Sequence, residues 1–386
     1  MSDKINVGLV GYKFMGKAHS HAYAVVAKHF ETKLTPVMKA VCGRNQAAAQ
    51  QFADRWGWQS VETDYNRLVA REDIDLVDIG SPGDTHAAIA IAAAKAGKHV
   101  YCEKPLANTL DDCKAMIAAV RESGVKHMVN FNYRKAPAMS LAKKMIDNGD
   151  LGDIRHVRAV YLQDWLVDPA FAMNWRLRKE VAGSGAHGDL GAHIVDLAHF
   201  LAGNISEVVG EMKTFITERP AEGASQGLTA SAGEGMEKVT VDDASLFLAR
   251  FASGAVGTFE ATRFAPGRKN YNQIEINGSK GSLVWCFEDL NYLDYYNSED
   301  PSYAQGFRRI IATEGEHPYA GAWWPPGHML GYDHGFTNAV SDLIEAIATD
   351  TNPNPCFLAG ANCVSVLEAV EQSVQSGKWE TVELIE

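Results

Sequence analysis

From residue 5 to about residue 150, short apolar runs alternate with segments of helical periodicity, and no other feature restricts this chain as strongly. The pattern is that of β-α-β units around a parallel sheet. Strands are expected at residues 5–10, 39–42, 76–79, 100–101 and 128–131. Between them, residues 87–95 read as an alanine-rich helix stopped by Gly97, and Thr109-Leu-Asp-Asp112 opens the next helix with a capping box. Right-handed crossovers between such units give a doubly wound sheet.

After Gly149-Asp-Leu-Gly152 the pattern changes to two-residue alternation at 154–161, 245–251, 255–261, 273–276 and 282–286, joined by Ser253-Gly254 and Gly278-Ser-Lys-Gly281. These are hairpin signals, so a large, mostly antiparallel sheet is expected after the parallel one. A helix over residues 188–201 interrupts it. Residues 218–238, rich in Gly, Ala, Ser and Glu, read as a mobile loop. Helical periodicity returns at 336–348 and 359–376, preceded by a rigid aromatic loop at Trp323-Trp-Pro-Pro-Gly327. The expected fold class is therefore α/β in two domains, residues 1–135 and 136–386, the last helices being candidates to pack back on the first domain.

Length supports two domains, since 386 residues exceed what one hydrophobic core sustains. With 36 basic against 48 acidic side chains the formal charge is −12, and no basic stripe offsets it, so nucleic acid is not an expected partner. No apolar run reaches the ~18–20 residues of a membrane span. Met1-Ser-Asp-Lys4 leads into the first strand without the features of a secretory signal, which makes a soluble, cytoplasmic protein the expectation. Six scattered cysteines without a C-x-x-C pair read as reduced thiols, with no disulfide and no structural zinc. His19 and His21 lack a third ligand and suit packing or cleft roles, and His187 makes no zinc site with His193, so no metal is expected.

The first strand runs through Gly8-Leu-Val-Gly11-Tyr-Lys-Phe-Met-Gly16 into a helix beginning near Lys17, the position of a dinucleotide fingerprint. Helix N-terminal amides there suit a pyrophosphate. Gly11 and Gly16 match the first and third glycines of the fingerprint, but Lys13 stands at the second, where its ammonium would have to compensate for the missing close approach. The acidic residue expected after the second strand is missing from Val41-Cys-Gly-Arg-Asn45. Arg44 suits an adenine face or a 2′-phosphate and Asn45 a free ribose, so NAD and NADP both stay open.

Oxidising a secondary alcohol by hydride transfer requires a base for the hydroxyl proton and a cation for the developing alkoxide. Asp189 and His193, four apart, share a helix face, and a carboxylate beside imidazole makes His193 a base near neutral pH. Lys104, on a loop after a parallel strand, belongs at the carboxyl edge of the sheet, where ligands bind. The two roles can be exchanged if desolvation lowers the lysine pKa. Asp164, Trp165, Trp175 and Arg176 combine aromatic faces with polar groups, as sugar sites do. Tyr332-Asp-His334 reads as the cap of a late helix.

Cys102-Glu-Lys-Pro105, taken with Gly8-Leu-Val-Gly11, Met15-Gly-Lys-Ala-His19, Asn132-Tyr-Arg134, Gly188-Asp189 and His193, resembles the Gfo/Idh/MocA family of oxidoreductases over nearly the whole chain. Phe14-Met-Gly-Lys-Ala-His-Ser20 and Tyr161-Leu-Gln-Asp-Trp165 are most similar to its levoglucosan dehydrogenase-like members. The resemblance implies a Rossmann domain, then an α/β domain whose open sheet supports a homodimer or homotetramer, with the active site in the cleft between them. It implies that Gly11, Lys13, Phe14, Met15, Gly16, Arg44, Ser81, His86, Glu103 and Lys104 bind the cofactor, and that Pro105 turns the loop in cis. Tyr133, Arg134, Asp164, Trp165, Trp175, Arg176 and His193 would bind substrate, and Lys104, Asp189 and His193 would be catalytic. The expected function is an NAD(P)-dependent dehydrogenase of a sugar, anhydrosugar or cyclic polyol. Two alternatives are a glycosidase working by transient oxidation and elimination, with Tyr133 or Asp164 as its second acid/base, and a non-catalytic nucleotide-binding sensor.

Overall fold

The computed structural model describes residues 3–226 and 229–386, and the chain divides into two compact units. The first comprises residues 1–132 and 332–361, the second 133–331 and 362–386. Of the segment read for a leader, Met1 and Ser2 lie outside the described residues.

In the first unit, β1 (Lys4–Val10), α1 (Phe14–His29), β2 (Thr35–Cys42), α2 (Gln46–Trp56), β3 (Val61–Glu62), α3 (Tyr65–Val69), β4 (Leu76–Ile79), α4 (His86–Lys95), β5 (His99–Cys102), α5 (Leu110–Ser123) and β6 (His127–Val129) alternate as expected. Among the described residues they form a six-stranded parallel sheet in the order β3-β2-β1-β4-β5-β6, a doubly wound Rossmann sheet. Thr109 is the N-cap: its hydroxyl accepts the Asp112 amide at 3.1 Å and starts α5 at Leu110. All four residues of β4 are buried, as a central parallel strand requires, and one of them is Asp78.

The second unit begins with α6 (Pro137–Asp147), β7 (Ile154–Leu162), α7 (Lys179–Ala182), α8 (Ala192–Ala202) and β8 (Ile205–Lys213). It continues through β9 (Glu218–Gln226), β10 (Thr229–Lys238), β11 (Ala244–Phe251), β12 (Val256–Thr262), β13 (Tyr271–Gly278), β14 (Gly281–Cys286), β15 (Tyr292–Asn297) and β16 (Arg308–Ile311). The described strands give a nine-stranded sheet ordered β16-β15-β14-β13-β7-β12-β11-β8-β17, where β17 is Glu380–Thr381. Every neighbouring pair is antiparallel except β7 with β12. On β11, Phe247, Ala249 and Phe251 face the core while Leu246 and Leu248 stay 46% and 48% exposed.

The helix expected at 188–201 starts one residue earlier, as a π-turn over His187–Gly191 that continues into α8. Residues 218–238 are not the expected loop: β9 and β10 pair as an antiparallel hairpin, with residues 227–228 outside the described ones. Charge rather than apolar alternation ties its two strands, since Arg178 reaches Glu222 and Glu237, each at 2.7 Å. Arg219, wholly buried, anchors β9 to the carbonyls of Leu166 and Asp168 at 2.6 and 2.7 Å. A composition count misses a hairpin held in this way.

The last helices are α9 (Tyr332–Ala348), in the first unit, and α10 (Phe357–Ser376), which passes from the first unit into the second. Phe336, Ala339, Val340, Leu343 and Ile344 form the apolar stripe of α9 and share one core with Ile5, Val7, Leu9, Ala22 and Val26. Tyr332, Asp333 and His334 make the first turn of α9 rather than a cap before it, and Asp333 pairs with His21 at 3.1 Å and His334 at 3.2 Å. Among the described residues no helix is long and apolar enough to cross a membrane. The six cysteines are thiols, and no group of three His, Cys, Asp or Glu side chains is arranged for a metal ion among the described residues.

Candidate active site

In the first unit the turn from β1 to α1 depends on its glycines. Gly11 takes φ +106°, and a Cβ there would meet the Gly80 carbonyl oxygen at 2.7 Å. A Cβ on Gly16 would stand 2.4 Å from the Gly11 carbonyl oxygen, so α1 can approach β1 only with glycine. Lys13 precedes α1 at a negative φ of −84° and is exposed. Phe14 and Met15 open α1, whose first turn has no side-chain cap and no acidic residue. This fits a pyrophosphate: the amides point outward, the dipole favours an anion, and no carboxylate on that turn repels one.

Arg44 lies exposed after β2, and Asn45 caps α2 by accepting the Ala48 amide at 3.0 Å, which commits its side-chain oxygen to the fold. Ser81 follows β4, and its hydroxyl meets that of Thr85 at 2.6 Å. His86 bridges two loops: Nε2 lies 2.8 Å from the Ser81 carbonyl, while Nδ1 lies 3.1 and 3.2 Å from those of Pro105 and Leu106. Glu103 and Lys104 follow β5, and the Lys104–Pro105 peptide is cis. Behind them sits a wholly buried polar group. His19 lies between Asp78 and Glu103 at 2.8 Å from each, and Asn130 donates to Glu103 at 2.6 Å. The attraction of the two carboxylates overcomes burial and raises the His19 pKa to about 10. Asp78 is absent from the site residues expected above, and its signal was a lone carboxylate inside the apolar strand Leu76-Val-Asp-Ile79.

In the second unit His193 is buried in α8, its ring 4.5 Å from that of Tyr133 and 5.7 Å from that of Tyr161. A hydrogen-bonded chain leaves this cluster. The Tyr133 and Tyr161 hydroxyls lie 2.8 Å apart, Tyr161 donates to Asn270 Oδ1 at 2.6 Å, and Gln163 donates to the same oxygen at 2.7 Å. Trp165 Nε1 donates to Gln163 Oε1 at 2.8 Å. Asp189, in the π-turn, accepts Arg263 at 2.7 Å, and that guanidinium lies over the Trp165 ring at 5.3 Å. Arg176 covers Trp175 at 4.3 Å; burial lowers its pKa, and Asp189 opposes that shift. Trp165, Trp175, Arg176, Asp189 and Arg263 are thus brought into one group, within which Arg263 went unnoticed in the sequence.

Two expected substrate ligands have other partners. Arg134 makes a two-pronged pair with buried Asp196 at 2.8 and 2.5 Å and lies over Phe200. Asp164 accepts Lys269 at 2.7 Å and the Gly267 amide at 3.1 Å.

A Rossmann unit with an anion-ready turn and a second unit of antiparallel sheet, buried histidine and tryptophan-backed arginines define an NAD-dependent dehydrogenase of sugars or polyols. Residues 5–131 match the oxidoreductase family with an NAD-binding Rossmann fold, residues 139–284 match the GFO/IDH/MocA C-terminal domain, and the chain belongs to the Gfo/Idh/MocA family. It is 42% identical to levoglucosan dehydrogenase of Pseudarthrobacter phenanthrenivorans, over 97% of both chains. The structure of levoglucosan dehydrogenase in complex with NADH and levoglucosan superposes with a TM-score of 0.93 at 40% identity, covering 99% of this chain and 100% of that one. An oxidoreductase domain protein from Kribbella flavida superposes at 0.95 with 52% identity, over 99% and 100%.

Proposed function

We propose that this dehydrogenase oxidises a ring hydroxyl of an anhydrosugar such as levoglucosan, with Lys104 and His193 acting on that hydroxyl. The observation that carries this reading is the group of Trp165, Trp175, Arg176 and Asp189 leading up to His193, in a chain similar to levoglucosan dehydrogenase along 97% of its length. Tryptophan faces take the C–H surfaces of a compact sugar, while guanidinium and carboxylate groups take its hydroxyls. Bound nicotinamide supplies the hydride acceptor. His193 removes the hydroxyl proton, and the Lys104 ammonium stabilises the alkoxide as it forms. Glu103 holds the backbone at Lys104, its Oε2 accepting the Lys104 amide at 3.1 Å.

Lys104→Ala and His193→Ala should each lower kcat/KM by about 10²–10⁴-fold while NAD still binds and the fold stays intact. H193A should also lose the acid limb of the pH–rate profile, which K104A keeps. Near-normal turnover in both variants would refute the assignment, and the opposite pH pattern would exchange the two roles.

The enzyme works as a homodimer or homotetramer in the cytoplasm. The apolar outer positions of β11 and β12, Leu246, Leu248 and Val256, support the assembly, and six cysteines left as thiols support the compartment. Recovery in a secreted fraction would contradict the cytoplasmic placement.

A further inference from the structure

A carboxylate in the middle of a central strand is costly to bury unless a cation and hydrogen bonds compensate it. Asp78 on β4 is wholly buried, with Leu9 and Tyr101 as its strand neighbours. Its compensation comes from α1: His19 Nδ1 lies 2.8 Å from both carboxylate oxygens, and the Tyr23 hydroxyl donates to one of them at 2.8 Å. The other face of the same imidazole meets a second carboxylate, Nε2 lying 2.8 Å from Glu103 Oε1. Ionised carboxylates only accept, so a ring with carboxylate oxygen on both nitrogens must donate from both. The orientation of Asn130 is settled as well. Tyr101 donates to its Oδ1 at 2.6 Å, which leaves its amide nitrogen to donate to Glu103 Oε1 at 2.6 Å.

We propose that His19 is a positioning residue of the dehydrogenase, a doubly protonated imidazole that keeps Glu103 ionised and thereby fixes the backbone from which Lys104 projects. The proposal rests on the reading of Lys104 given above. Its geometry is continuous: His19 holds Glu103 Oε1, and Glu103 Oε2 accepts the Lys104 amide. The titratable and charged groups around the ring come from every element packed on it. They are Asp78 on β4, Tyr23 on α1, Tyr101 and Cys102 on β5, Glu103 and Lys104 just after it, and Asp342 on α9, which acts on Tyr101. Phe336 of α9 closes the remaining side, 5.5 Å from the imidazole. Removing the imidazolium leaves two buried carboxylates with no cation between them, and the pair then takes up a proton that the native site excludes.

Two measurements on the NAD-bound enzyme test this. Nitrogen-15 spectra of histidine-labelled protein should show His19 with both ring nitrogens protonated and no titration from about pH 6 to about pH 9. A neutral tautomer at pH 7 would overturn the proposal, and this spectrum decides the matter even if a His19 variant does not fold. His19→Gln should lower kcat by at least about tenfold and add an ionisation near neutral pH to the pH–kcat profile, reporting the proton now shared by Asp78 and Glu103. A folded H19Q enzyme with the native pH profile would overturn the positioning role. If K104A keeps full turnover, the reading of Lys104 fails, while the spectrum still shows whether His19 carries its two protons.

Discussion

At the scale of single residues, the chemistry-bearing side chains sort by what already holds them. Arg134 stands in an apparent substrate motif, Asn132-Tyr-Arg134, yet both prongs of its guanidinium go to Asp196 inside the second unit. Burial pushes the Asp196 carboxyl up to about 6, with Arg134 opposing the shift, so the pair depends on both members. Arg134→Ala should therefore destabilise the fold by about 3–5 kcal/mol in denaturant unfolding, and the added replacement Asp196→Leu should recover much of that. An unchanged midpoint with a raised KM would instead make Arg134 a substrate ligand. Lys104, Asp189 and His193 drew notice in the sequence because their types and spacing suit a hydride transfer, the role proposed for Lys104 and His193 above. Asp78 and Arg263 were not, because their partners lie 59 and 74 positions away in sequence, at His19 and Asp189.

At the scale of elements, periodicity was readable in many of the segments that an apolar core holds, as a continuous apolar run where both faces are buried and as alternation where one is. The strands of the Rossmann sheet and the hairpins from β11 to β14 follow that rule, and so does α9. It fails where polar groups hold the element, as in the β9–β10 hairpin clasped by Arg178 and anchored by Arg219. The outer face of β11 and β12 departs from the polar alternation of a solvated sheet, exposing Leu246, Leu248 and Val256. Such a face is suited to covering by a second copy of the chain. Leu248→Glu should shift the mass seen by light scattering to that of the monomer without unfolding it. A native enzyme that is already monomeric would remove the proposed assembly.

At the scale of the whole molecule, three histidines, His19 buried and His127 and His199 half-buried, act in opposite directions on stability. Burial holds His127 down to about 4 and His199 to about 3, so both stay neutral when folded but take protons when unfolded. Because the unfolded chain then binds more protons, stability falls as pH drops from about 6.5 towards those values. His19 has the opposite sign. Its folded value of about 10 lies above the unfolded one, so its contribution is complete below about 6.5 and is lost as pH rises towards 10. Thermal unfolding should accordingly peak near neutral pH, and H19Q should flatten the alkaline decline while its shared carboxylate proton makes stability fall as pH rises towards neutral. An alkaline decline of equal steepness in H19Q would contradict the buried imidazolium.

The central claim, that this member of the Gfo/Idh/MocA family oxidises an anhydrosugar with net reduction of NAD, is tested most directly by the reduced-nicotinamide absorbance. The enzyme is mixed with NAD or NADP and a panel of levoglucosan, hexoses, inositols and glycosides, and released aglycone is assayed in parallel. The account predicts a sustained rise with NAD and levoglucosan, one reduced cofactor for each sugar oxidised. Aglycone release from glycosides with no accumulation of reduced cofactor would contradict it.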